Sequence, residues 1–129
     1  MRSGRKPMSA AAKAAHEAWT TTVIARAFTC EIQSLIPHVC DGHVDACHVL
    51  RKGWIRQQTN TWDEDVQLAA VFHLDNGICG CRNGHNKFDA PGHGGVTYED
   101  LPAAAREFAE RYGWTWKLEA DYGLREQAA

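Results

Sequence analysis

Apolar residues recur at helical spacing near both ends of the chain and alternate in its middle. Trp19, Val23 and Ala27 stand four apart and Phe28 widens their stripe, which predicts a helix running from Ser9, as N-cap, to about Phe28. Residues 29–42 are irregular and carry Cys30, Pro37, His38 and Cys40. Residues 44–50 alternate after an Asp41-Gly42 turn signal, which predicts a short strand. Residues 51–61 are polar and basic and read as a loop, and Asp63-Glu64-Asp65 opens a helical turn over 66–70. The apolar run 71–74 is too short for periodicity to separate strand from helix. Asp75-Asn76-Gly77 is a turn signal, after which residues 78–81 predict a second strand pairing with the first.

Asn83 is placed to cap a short helix that ends before Pro91-Gly92. A second long helix is predicted over 101–112, with Asp100 preferred to Thr97 as its N-cap and Gly113 as its C-cap. Leu101, Ala105, Phe108 and Tyr112 form its stripe, and Arg106–Glu110 and Glu107–Arg111 are expected pairs on its exposed side. Trp114, Trp116 and Leu118 alternate with Thr115, Lys117 and Glu119, which predicts a half-buried strand. The sum is an α+β domain over 9–124 with its core motif at 40–91, a disordered basic arm at 1–8 and a disordered tail at 125–129.

Composition narrows the classes. A chain of 129 residues suits one domain. No apolar run approaches the roughly 20 residues a bilayer-spanning helix needs, and no hydrophobic signal segment follows the basic N-terminus, so a cytoplasmic protein is expected. Five cysteines at irregular spacing point to thiols or metal ligands rather than a disulfide framework. The formal net charge of −2 gives no global signal for nucleic acid, so any DNA contact must rest on local patches.

The chemistry-bearing residues cluster in the middle. His48 ends the first strand, Asn76 stands in the connection, and His85 and Asp89 are four apart on one face of the short helix. Strand pairing can bring His48 opposite that face. Such a site would hold an imidazole able to take a proton near neutral pH and two ligands for a divalent ion, the parts that phosphodiester hydrolysis requires. Arg51, Lys52 and Arg56 lie beside it, where phosphates would approach. Trp54 and Trp62 are read as anchors ahead of base-stacking residues, and His16, His73 and His93 receive no role.

The segments Val44-Asp45-Ala46-Cys47-His48-Val49 and Asp75-Asn76-Gly77-Ile78, with Cys81 followed by Gly84-His85 and Asp89, resemble the HNH (ββα-metal) endonucleases. The resemblance is nearest to the small HNH proteins of actinobacteria and their phages and covers roughly the middle 60 residues; the tail Leu101-Pro102…Tyr112-Gly113…Trp116 resembles that subgroup more weakly. It implies a ββα-metal core flanked by an N-terminal helix and a C-terminal helix and strand. It also implies hydrolysis of DNA in a phage or mobile-element setting, with magnesium, manganese, nickel or zinc as the ion. His48 would be the general base, Asn76 would hold its ring, and His85 and Asp89 would bind the ion.

Two departures from the family pattern are visible. Cys47 stands where the family usually offers histidine or aspartate to the metal, and a thiolate suits zinc far better than magnesium. Asp45, on the same strand face, could substitute. The two Cys-x-x-Cys pairs of many relatives are incomplete, with Pro37 and Gly84 where cysteines would complete them. Cys30, Cys40 and Cys81 either gather on a structural zinc, with His38 or His43 as fourth ligand, or are small buried hydrophobes. Two other readings therefore stand beside the nuclease: a non-catalytic nucleic-acid-binding module on the same frame, and a zinc-stabilised interaction domain. The low net charge leaves room for a partner protein that recruits the DNA.

Overall fold

A computed structural model of the chain describes residues 8–125; the expected basic arm and tail, apart from Met8 and Arg125, lie outside the described residues. The fold mixes helix and strand: six α-helices, several 3-10 turns and one two-stranded antiparallel sheet among the described residues. The first helix, α1 (Ala10–Ala27), starts as its sequence dictates: the Ser9 hydroxyl accepts the Ala12 N–H at 3.0 Å. It ends in a left-handed cap at Phe28 (φ 61°), which turns that ring out to 77 % exposure instead of widening the stripe.

The centre is a hairpin of β1 (Val44–His48) and β2 (Gly77–Cys81), in register Val44↔Cys81 through Cys47↔Ile78 to His48↔Gly77. Every residue of β2 is buried, because both faces of the sheet are covered. Trp19 and Val23 of α1 pack with Cys79, Val44 and Ala46 on one face. Cys47 and Ile78 join Ile32, Leu50 and Phe88 in the larger core on the other. Gly77 and Gly80 permit these approaches: a Cβ on Gly77 would come within 2.5 Å of Val23, and one on Gly80 within 2.3 Å of Ile32. Arg26 fastens α1 across the hairpin, donating to the carbonyls of Leu74 (3.1 Å) and Gly77 (2.8 Å).

The connection between the strands contains more structure than its composition predicts. The basic run is not a loop: Lys52–Gln58 forms α2, with Ile55 as its buried anchor. Glu64–Val71 forms α3 after Asp63, as the acidic first turn indicates, and the ambiguous apolar run resolves into the end of α3 and a 3-10 turn, Leu74–Asn76. The helix after β2, α4 (Arg82–Asp89), is capped by Cys81 and not by Asn83: the Cys81 sulfur accepts the Gly84 N–H at 3.2 Å, while the Asn83 amide donates to the Val39 carbonyl.

The C-terminal expectations need three corrections. Helix α5 (Ala103–Tyr112) begins after Pro102, and Asp100 serves the preceding turn, where it and Thr97 form a reciprocal capping box. Arg111 pairs with Asp75 at 2.7 Å and the Arg106 guanidinium donates to the Leu101 carbonyl, in place of the expected pairs along the helix. The segment predicted as a strand is α6 (Thr115–Tyr122). Trp114, Leu118 and Tyr122 are buried at four-residue spacing while Trp116 faces out, so the true period is helical; three alternating residues are too few to separate the two periods. The domain therefore closes with two helices, not a helix and a strand.

Candidate metal centre and cavity

Cys30, His38, Cys40 and Cys81 form a cluster able to hold a metal ion, their four ligand atoms all within 4.8 Å of one another. Cys30 precedes a 3-10 turn (Glu31–Ser34), His38 and Cys40 lie in the loop before β1, and Cys81 joins β2 to α4. The His38 Nε2 sits 3.2 Å from the Cys81 sulfur and 3.5 Å from those of Cys30 and Cys40. In a tetrahedral zinc site, bond lengths of about 2.1 and 2.3 Å imply nitrogen–sulfur edges of roughly 3.5 Å. The His38 Nδ1 donates to the Ile36 carbonyl, which fixes the tautomer and leaves Nε2 as the ligand atom.

The thiols are set up unequally. Burial resists ionisation of Cys81, but the N–H groups of Gly84 and Asp41, with His38 and Cys40, bring it down to about 6. Desolvation and the neighbouring thiols push Cys40 up to about 12. Gly84 is required for closure: a Cβ there would lie 2.7 Å from the His38 Nε2 and 3.2 Å from the Cys30 sulfur. His43, the alternative fourth ligand, instead borders a surface depression with Asp45, Arg82, His85 and Asn86.

Along α4 from this cluster lies the second feature, a cavity of about 680 Å³. His48, Cys47, Arg51, Lys52, His85 and Asp89 all line it, so hairpin pairing does bring the strand histidine to the helix pair. The His48 Nε2 lies 2.9 Å from the Val71 carbonyl. A carbonyl only accepts, so that nitrogen carries the proton and Nδ1 keeps the basic lone pair. Trp19 stacks on the ring at 4.1 Å and 21°. Burial lowers the His48 pKa to about 4, which keeps the imidazole neutral. His85 and Asp89 meet at 2.8 Å; this contact raises the histidine pKa and, against the resistance of burial, lowers that of the carboxylate.

Other expected members take different parts. Asn76 does not hold the His48 ring. Its amide is fully buried and grips the backbone of Leu50, accepting from its N–H (2.8 Å) and donating to its carbonyl (2.9 Å), and the ring is held by Val71 and Trp19. Cys47 is buried, and desolvation followed by the charges of Asp89 and Asp45 pushes its thiol far up, so it presents a thiol and not a thiolate. Asp45 borders the neighbouring depression, which His85 shares, and Arg56 lines a separate groove with Met8, Ser9 and Glu64.

Sequence reasoning missed His16, Trp19 and Lys117 as cavity residues. His16 and Trp19, three apart on α1, share a helix face, a spacing that was available as a signal; Lys117 was obscured by the strand reading of its segment. Tyr122 was also missed: its hydroxyl donates to the Val49 carbonyl at 2.6 Å, bracing the backbone next to His48. No helix among the described residues is long and apolar enough to cross a membrane. Comparison of the chain with models of known protein families, with curated proteins and with solved structures gives no match.

Proposed function

We propose that the chain is a metal-dependent endonuclease of the HNH type that hydrolyses DNA phosphodiester bonds. The observation that carries this reading is the cavity in which a neutral His48, held from behind through Nε2, shares a wall with the His85–Asp89 pair and the basic residues Arg51 and Lys52. His48 Nδ1 takes the proton from the water that attacks phosphorus, with Trp19 and Val71 fixing the ring. Arg51 and Lys52 attract and seat the phosphate. One imidazole and one carboxylate suit a divalent ion such as magnesium, manganese, nickel or zinc. Held by His85 and Asp89, such an ion would neutralise charge developing on the phosphate and the leaving 3′ oxygen. Cys47, protonated and buried, is a poor ligand for a hard ion and takes the role of packing.

The Cys30, His38, Cys40 and Cys81 cluster is proposed to hold a structural zinc, separate from the catalytic ion. Its presence gives specific support to a second reading, a zinc-stabilised nucleic-acid-binding module on the same frame that does not cut.

Plasmid cleavage with each of the four metals decides between them. The nuclease reading expects nicked or linear product, abolished by chelator and reduced at least about 10²-fold in the His48→Ala variant. Cleavage undiminished in purified His48→Ala protein would sink the mechanism, and salt-sensitive DNA binding without cutting in any metal would favour the module.

A further inference from the structure

At the edge of the same cavity stands an aromatic pair that the hydrolytic residues do not use. Trp54 of α2 lines it, and Trp116 of α6 stands against Trp54 at 5.9 Å and 73°. Trp116 is 60 % exposed, whereas the adjoining Trp114 is 7 % exposed and meets Trp54 edge-on at 5.4 Å from within the core. Lys117, next to Trp116, lies over the Trp54 ring at 5.4 Å and is ion-paired with Asp121 at 2.9 Å. An indole held edge-on to a second indole offers a flat apolar surface to water.

Charge says what covers it. The chain carries a formal net charge of −2, yet the cavity wall holds Arg51 and Lys52, with Lys117 already paired to Asp121, against one carboxylate, Asp89, itself engaged with His85. Positive charge gathered next to exposed indole surface fits a polyanion that also carries flat aromatic groups, which is a nucleic-acid strand. Bases inside a duplex have both faces occupied by neighbours, so only an unpaired base can lie on Trp116.

We propose that Trp116, backed by Trp54, is a base-stacking site that gives the cavity a preference for DNA with unpaired bases beside the phosphodiester it holds. This rests on the nuclease reading for the identity of the seated phosphate, but the stacking contact is measurable without cleavage. The α2–α6 contact sets the platform: Lys117 of α6 lies over the Trp54 ring of α2, the helix that also carries Lys52.

The experiment is equilibrium binding of a fluorescein-labelled 12-nucleotide oligo(dT), and of a blunt 12-base-pair duplex, to the full chain without added divalent ion. Trp116→Ala is expected to weaken oligo(dT) binding about 5- to 100-fold, Trp116→Phe to recover most of it, and duplex binding to change less than about twofold in either variant. Because Trp116 faces solvent, melting temperature should be unchanged, and circular dichroism checks this. Equal loss for oligo(dT) and duplex, no loss for either, or no binding of DNA at all overturns the proposal, the last pointing to a protein partner for the aromatic surface. Plasmid cleavage by wild type together with oligo(dT) binding unchanged in Trp116→Ala would overturn stacking and leave the nuclease standing. Selective loss of oligo(dT) binding in the Trp116→Ala variant of a protein that fails to cut with any of the four metals would uphold stacking and overturn the nuclease.

Discussion

At the residue scale, His48 shows how position decides the chemistry of a side chain. An imidazole in water titrates near 6.5; between Trp19, Val71 and the hairpin it is held neutral down to about pH 4, desolvation being the main cause. The sign of the stability effect follows. Between pH 6.5 and 4 the unfolded chain binds a proton at this position and the folded chain does not, so stability falls as pH drops through that window and is unaffected above it. The full loss is about 3 kcal/mol. Denaturant melts across pH 4–7 should show this slope in wild type and lose it in His48→Gln; a pH-independent difference between the two would contradict it. Asn76 makes the converse point. Its turn-forming identity was plain, but its task, bonding both backbone groups of Leu50, depends on a partner 26 positions away.

At the element scale, the hairpin and α4 act through close approaches. Gly84 lies on α4 against His38 and Cys30, where any side chain would enter the ligand cluster. Gly84→Ala is expected to lower metal affinity about 10- to 100-fold and to destabilise the fold by about 1–3 kcal/mol through overpacking. Competition with a chromogenic chelator and thermal melting read the two effects; unchanged affinity would show that the cluster does not close around an ion. The same helix carries Cys81 at its start and His85 and Asp89 at later turns, about 6 and 12 Å along at 1.5 Å per residue. Loosening the cluster would therefore shift the His85–Asp89 pair, because both are carried by the one helix.

At the scale of the whole molecule, the hairpin is held by α1 on one face, by the larger core on the other, and by the cluster at one end. A bound zinc would add to that core, not replace it, so removal should destabilise without unfolding outright. We expect one equivalent of zinc in the purified protein and a drop in melting temperature of roughly 10–20 °C on chelation, corresponding to several kcal/mol, with Cys81→Ser reproducing the drop. A metal-free protein indifferent to chelator would leave Cys30, Cys40 and Cys81 as packing residues.

Only local features can be read along the chain. Ser9 as a cap, the alternation around Val44, the acidic first turn before Val66 and the left-handed position at Gly113 are written into neighbours within a few residues, and the α+β mix follows from them. The order of His48, Asn76, His85 and Asp89 was equally legible. The final segment was misread because three alternating residues fit both periods, and burial of Trp114, Leu118 and Tyr122 on the core made it a helix. Tertiary structure alone decided that His38 and not His43 joins the three thiols, that Val71 and not Asn76 holds the His48 ring, and that Arg56 faces away from the cavity. Each depends on contacts between segments tens of residues apart. Spacing along the chain carries no such information, because distance in a folded core is set by which apolar faces pack together.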